Sequence, residues 1–161
     1  MLYFAYGSNL DMDQMRARVP DVAVVGLAVL HDHRLTFPIS TQSWGGGTAG
    51  VVHAHGESVW GALYEVSEAG LAALDRHEGW KGPGSHHNTY ERDLVTVEVT
   101  RPDDGSVPRR VRATIYLARE LNPAPPSRRY LDTVLKGARH HRLPPGYIEW
   151  LETIEVASGT S

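Results

Sequence analysis

Leu2-Tyr3-Phe4-Ala5-Tyr6-Gly7-Ser8-Asn9-Leu10 is the stretch on which the reading of this chain turns. Its first five residues are aromatic-rich and stop at a turn signal, which predicts a strand. Asp11 to Val19 then reads as a short helix. Asn9 or Asp11 stands where a cap belongs, Met12 and Met15 recur on one face, and Pro20 follows the end. A strand that runs through Gly-Ser-Asn into a helix start gathers backbone amides where the helix dipole is positive. Gly7 lets backbone approach a ligand closely, and a carboxylate would sit well there. On pattern alone, an ordinary turn and cap is the commoner source of such letters.

Working outward, Val22 to Phe37 is a long β-like run with a bend or split near Gly26, and Trp44-Gly45-Gly46-Gly47 is a loop. Thr48 to His53 and Val59 to Val66 read as two strands joined by a turn at His55-Gly56-Glu57. Ser67 to His77 reads as a helix with Ser67 as its cap, Leu71 and Leu74 at helical spacing, and Gly79 as the left-handed residue after its end. Lys81 to Asn88 is a polar loop. Thr89 to Thr100 alternates, with Leu94 out of step and Val95, Val97 and Val99 on one face. A turn at Asp103-Asp104-Gly105 leads into a hairpin partner, Val107 to Leu117. After the stiff linker Asn122 to Pro126, one helix runs from the cap Ser127 to about His141. A second opens at Pro144-Pro145 and runs to Ile154. The strands cluster and do not alternate with helices. This predicts an α+β single domain with a mixed, strongly curved, barrel-like sheet and flanking helices. The domain covers residues 1–156, with 157–161 as a flexible tail.

The 161 residues suit one domain, and 41% hydrophobic against 22% charged residues is ordinary for a globular chain. The net charge of -3 argues against a nucleic-acid partner. No cysteine is present, which removes thiolate catalysis and Cys-ligated zinc and permits a cytoplasmic location. The N-terminal apolar run stops at Gly7 and has no basic residue before it, so it is neither a signal peptide nor a membrane span. Lys81 and Lys136 are the only lysines among 16 Lys and Arg residues, which hints at a GC-rich bacterial source.

Several motif readings compete. Gly45 to Gly50 fits G-x-G-x-x-G in letters, but a strand rather than a helix follows, so the dinucleotide frame is missing. Gly56-Glu57-Ser58-Val59-Trp60 misses the last glycine of a nucleophile elbow. His31 with His33, and His53 with His55, would share strand faces in a metal-capable way, but no clear carboxylate companion accompanies them.

Glu78 follows Leu74 by four residues, which puts it on or beside the buried helix face. It also stands at the helix C-terminus, where the dipole disfavours an anion, and Leu74 and Trp80 would desolvate it. Both effects raise a carboxyl pKa, as a general base working near neutrality requires. On pattern alone a solvated helix-end glutamate is commoner.

Leu2 to Leu10 resembles the signature of the gamma-glutamylcyclotransferase family. Similar stretches follow in order: Trp44 to Ala49, Val59-Trp60-Gly61, Leu74-Asp75-Arg76-His77-Glu78-Gly79, and a tail from Pro125 through Tyr130, Lys136-Gly137-Ala138, Leu143-Pro144 and Tyr147 to Glu155. The resemblance spans nearly the whole chain. It implies a barrel-like α+β enzyme without a cofactor that cyclises a gamma-glutamyl amine or dipeptide to 5-oxoproline. Under it, Glu78 is the acid/base. Tyr3, Tyr6, Gly7, Ser8, Asn9 and Leu10 hold the glutamyl head, with Tyr130 lining the pocket. The segment Lys81 to Asn88 looks longer than in eukaryotic members, and it is expected on the leaving-amine side. Two other classes stay open: a non-catalytic binding module, and a metal enzyme using the strand histidines. The sequence sets neither the leaving amine nor the oligomeric state, a homodimer included.

Overall fold

The computed structural model describes residues 1–100 and 109–159. In chain order it contains β1 (Leu2–Ala5), a 3-10 turn (Ser8–Leu10), α1 (Met12–Arg18), β2 (Ala23–Thr41), β3 (Gly46–Glu65) and α2 (Glu68–Glu78). β4 (Tyr90–Thr100), β5 (Arg109–Ala118), α3 (Arg128–His140) and α4 (Pro145–Glu152) follow. The strands close into a barrel in the order β1-β3-β2-β4-β5. All neighbours are antiparallel except β1 and β5, which meet in parallel at Tyr3 and Thr114. The fold is the mixed, curved α+β domain that the strand order implies. The hairpin turn expected at Asp103-Asp104-Gly105, and the start of its second strand at Val107, lie outside the described residues.

Where two strands were expected at Thr48–His53 and Val59–Val66, one strand runs from Gly46 to Glu65. The supposed turn is a bulge. His31 faces Ser58 and His33 faces His53, so residues 54–57 stand opposite the single residue Asp32. Gly56 and Asp32 both take positive φ, and the Gly56 N–H donates to Asp32 Oδ1 at 2.9 Å. A glycine in a strand marks such a bulge as readily as a turn. The bend expected near Gly26 is a second bulge, between Val24 and Gly26. β2 also extends past Phe37 to Thr41.

The helices end where their caps dictate. Ser67 accepts from the Gly70 N–H at 3.0 Å and Ser127 from the Tyr130 N–H at 3.1 Å. Gly79 closes α2 at φ 70°, with its N–H on Arg76 O and the Trp80 N–H on Asp75 O. Among the described residues no helix is long and apolar enough to cross a membrane. The C-terminal end is tied back by the Ala157 N–H, which donates to Pro126 O at 2.8 Å.

The barrel mouth is covered by the 3-10 turn after β1, and α3 packs on that turn. The contact is backbone against backbone. A Cβ at Gly137 would stand 2.2 Å from Leu10 C and 2.5 Å from Asp11 N. At a free helix position Gly→Ala would stabilise by up to about 1 kcal/mol. Here Gly137→Ala is expected to destabilise by about 1–3 kcal/mol through overpacking. Urea unfolding measures it, and a midpoint unchanged or raised would show that α3 does not press on the turn.

Candidate active site

Helix α2 begins at a serine cap and buries Leu71 and Leu74. One turn beyond Leu74, on the same side, comes Glu78, the last helical residue before the left-handed Gly79. This places its half-buried side chain in a cavity of about 270 Å³ at the barrel mouth. Tyrosines converge there from four elements: Tyr3 from β1, Tyr90 from β4, Tyr116 from β5 and Tyr130 from α3. Tyr6, Gly7, Ser8 and Asn9 of the segment after β1 complete that wall.

Asn9 is the hub. Its Nδ2 donates to Tyr3 Oη at 2.9 Å and reaches Glu78 Oε1 at 3.5 Å. Its Oδ1 accepts from Gln14 Nε2 and from the Arg18 guanidinium, both at 3.0 Å. Tyr64 supports the turn from behind by donating to Asn9 O at 2.8 Å. His141 Nε2 stands 2.9 Å from the same hydroxyl and 3.0 Å from Leu10 O. Burial drives the His141 pKa down to about 4, so its ring is neutral at physiological pH.

Within the turn, the Leu10 N–H donates to Gly7 O and the Asp11 N–H to Ser8 O. The N–H groups of Gly7, Ser8 and Asn9 make no backbone hydrogen bond among the described residues. The Ser8 amide also meets the Tyr130 hydroxyl, and a run of amides of this kind beside the cavity is suited to an anion. Gly7 makes a close approach, since a Cβ there would meet Tyr130 Oη at 3.0 Å and Ala49 Cβ at 3.1 Å, tight enough to push on both. The Tyr130 hydroxyl accepts from the Ala49 N–H at 2.9 Å. Its pKa is pushed up to about 12, chiefly by burial, so it stays a neutral hydroxyl. Burial likewise raises Tyr3, Tyr6, Tyr90 and Tyr116. Glu78 is thus surrounded by neutral groups, with Arg18 as the nearest opposing charge. Desolvation raises its carboxyl to about 7, and Arg18 partly counters the rise.

Of the residues singled out in the sequence, Tyr3, Tyr6, Gly7, Ser8, Asn9, Glu78 and Tyr130 line this one cavity. Leu10 does not. Its side chain is wholly buried and the 3-10 turn consumes its N–H, so it packs the core beneath the turn. The loop Lys81 to Asn88 does not reach the cavity either. It folds on itself around the buried Asn88, which accepts from the Lys81 N–H at 2.5 Å and donates to Gly82 O at 2.8 Å. The bulge at Asp32 breaks the alternation that would align His31 with His33 and His53 with His55, while His33 and His53 face each other across the two strands with ring centres 5.7 Å apart. His31 pairs with Glu98 at 3.4 Å and His55 with Asp32 at 3.8 Å. Among the described residues no three His, Asp or Glu side chains are placed to share a metal ion.

Several residues at or supporting the cavity carried no signal in the sequence. Arg18 and Gln14 look like ordinary polar positions of a short helix, yet they clamp Asn9. Tyr116 is a strand residue whose hydroxyl donates to Asp75 Oδ1 at 2.7 Å, while Asp75 Oδ2 pairs with Arg92 at 2.7 Å. Asp75 therefore aims Tyr116, whose ring stands edge-on to Tyr3 at 5.8 Å. The helical spacing of Asp75 gave no hint of that partner.

Residues 3–137 match the family described as gamma-glutamyl cyclotransferase, AIG2-like. The chain belongs to the gamma-glutamyl cyclotransferase family. The gamma-glutamylcyclotransferase of Homo sapiens is 34% identical over 158 residues, covering 96% of this chain and 78% of that protein. The Mus musculus enzyme of the same name is 30% identical over the same shares. A solved gamma-glutamyl cyclotransferase superposes with a TM-score of 0.84 at 30% identity, covering 100% of this chain and 91% of that one. The chain is therefore an enzyme of this family, and its barrel is the family's fold.

The raised Glu78 pKa has a consequence for stability. The neutral carboxyl is favoured in the folded cyclotransferase. This contribution is present below about pH 4.5 and is lost as pH rises through about 7, where the folded group ionises. Glu78→Gln should therefore stabilise the protein by about 2 kcal/mol at pH 8, part of the full linkage energy because the side chain opens onto the cavity. At pH 4 it should give no gain. Urea titrations at the two pH values measure this, and equal shifts at both would show that Glu78 is not perturbed.

Proposed function

We propose that this enzyme cyclises a gamma-glutamyl amine or dipeptide to 5-oxoproline with Glu78 as its proton shuttle. The observation that carries this is a carboxyl with a pKa of about 7, held by Asn9 beside three amides free of backbone partners. The glutamyl head lies among Tyr3, Tyr6 and Tyr130, with its α-carboxylate or its developing oxyanion on the amides of Gly7 to Asn9.

The substrate's ammonium gives a proton to the Glu78 carboxylate, and the freed α-amine attacks its own γ-carbonyl carbon. The new ring C–N bond forms and the bond to the outgoing nitrogen breaks. That nitrogen takes the proton back from Glu78. The second proton, shed by the ring nitrogen as the lactam forms, follows the same route, so the amine departs as an ammonium ion and Glu78 returns to its starting carboxylate. The reaction is intramolecular, so enforcing a folded-back conformer supplies much of the acceleration. No nucleophilic side chain enters. A catalytic role fits the perturbed, cavity-facing Glu78 better than a passive binding module does. A cytoplasmic location, a bacterial source and the absence of a nucleic-acid partner belong to the same proposal. The absence of cysteine is compatible with the first, the near absence of lysine supports the second, and the net charge of -3 supports the third.

Purified enzyme incubated with a panel of gamma-glutamyl compounds should release 5-oxoproline, with kcat/KM rising with pH through a limb near 7. Glu78→Gln should lose about 10²–10⁴-fold in kcat. Unchanged turnover by Glu78→Gln would remove this mechanism.

A further inference from the structure

The tyrosine hydroxyls around the cavity differ in where their protons go. Each has one proton to give and two lone pairs to receive with. Tyr6 donates to Tyr116 O at 2.6 Å and Tyr90 to Ala49 O at 2.9 Å, both neutral backbone carbonyls. Tyr116 donates instead to the Asp75 carboxylate, at 2.7 Å. Among the described residues it is the one cavity tyrosine with a charged acceptor. Asp75 is itself held in place. Its other oxygen takes the Arg92 guanidinium, which lies over the Trp80 ring at 3.9 Å. Arg92 also stands directly across from Tyr116 in the β4–β5 pair. A hydroxyl whose proton goes to an anion has an electron-rich oxygen, because hydrogen bonds in series polarise one another. Burial, and then Asp75, raise the Tyr116 pKa, so the hydroxyl keeps its proton. Tyr116 Oη therefore offers the cavity lone pairs and no proton.

Asp75 lies three residues before Glu78, hence on the same side of α2. Tyr116 lines the cavity close enough for the Glu78 charge to act on its hydroxyl. On the reading proposed above, the substrate's α-ammonium gives a proton to Glu78, and its remaining N–H groups need acceptors in the same dry pocket. We infer that Asp75 is a positioning residue that makes the Tyr116 oxygen an acceptor for the substrate's α-nitrogen. The contact can last through the whole reaction, since one N–H survives in the product ring. Tyr116 takes no proton, so it steadies the nitrogen while Glu78 alone deprotonates it. An ion pair that merely stitched α2 to β4 would treat every ligand alike, and this separates the two accounts.

The test uses two ring compounds that differ at one position. In 5-oxoproline the ring N–H is the nitrogen in question, and in gamma-butyrolactone-gamma-carboxylate an oxygen replaces it. Dissociation constants are read by NMR titration of the intact enzyme. The wild type should prefer 5-oxoproline by about tenfold, the size of one well-made hydrogen bond. In Tyr116→Phe this ratio should fall toward one. In Asp75→Asn it should fall at least as far. Arg92 there claims the amide oxygen, so the amide nitrogen donates to Tyr116 Oη and turns the hydroxyl proton into the cavity. Adding Asp75→Asn to Tyr116→Phe should leave the ratio where Tyr116→Phe alone put it. A wild-type ratio near one overturns the inference without any variant. So does an unchanged ratio in either single variant, or a further fall in the double variant. Each of these results leaves the cyclotransferase reading standing and removes only the role of Asp75. Binding of neither compound removes both.

Discussion

The side-chain amide of Asn9 holds the site together. It is oriented at both ends: Gln14 and Arg18 fix its oxygen, and Tyr3 and Glu78 take its nitrogen. A group so fully committed has one rotamer and one flip state. Through it the first strand, the first helix and the end of α2 share a single hydrogen-bond system, although Asn9 and Glu78 are 69 residues apart in sequence. The tight backbone contact of Gly137 against Leu10, and the Tyr64 hydroxyl on Asn9 O, press the same turn from the other side. The amides of Gly7 to Asn9 are aimed by these neighbours, because the turn itself makes only two internal backbone bonds.

The same system sets the chemistry of Glu78. Its carboxyl is surrounded by neutral hydroxyls that burial keeps protonated, and by one guanidinium already engaged with Asn9. Desolvation wins over the attraction of Arg18, and the pKa rises to about 7. A stronger pairing with Arg18 would have left a fixed anion, a poor donor to the outgoing amine. A wholly apolar surround would have left a permanently neutral acid, unable to accept the first proton. The cost of holding this group partly dry is borne by the remaining fold, as is common where function sets the residue.

Local signals carried a large share of the fold. Ser67, Gly79, Ser127 and Pro145 mark helix ends in their own chemistry, and the strands announced themselves by alternation and aromatic content. The long β3 did not. A glycine-centred bulge and a glycine-centred turn have the same letters, and only pairing with β2 distinguishes them. The strand histidines failed for the same reason, because the bulge at Asp32 upsets the count of faces. In the site, Glu78 was legible from its spacing to Leu74 and its place at a helix end. Leu10 was misplaced because its direction depends on the 3-10 geometry of the turn. Tyr90 and Tyr116 were invisible because only barrel closure brings β4 and β5 to the cavity, and Arg18 because only the packing of α1 does so. The loop 81–88 lies next to Glu78 in sequence, yet Asn88 folds it away from the cavity.

The most direct test of the account is the ionisation of Glu78 itself, followed by NMR of a protein labelled with carbon-13 at the glutamate side-chain carboxyls and assigned with Glu78→Gln. The account requires that resonance to titrate with a midpoint near 7, well apart from the other glutamates. A midpoint near 4.5 would mean an ordinary hydrated carboxylate, and the proton shuttle built on it would be wrong.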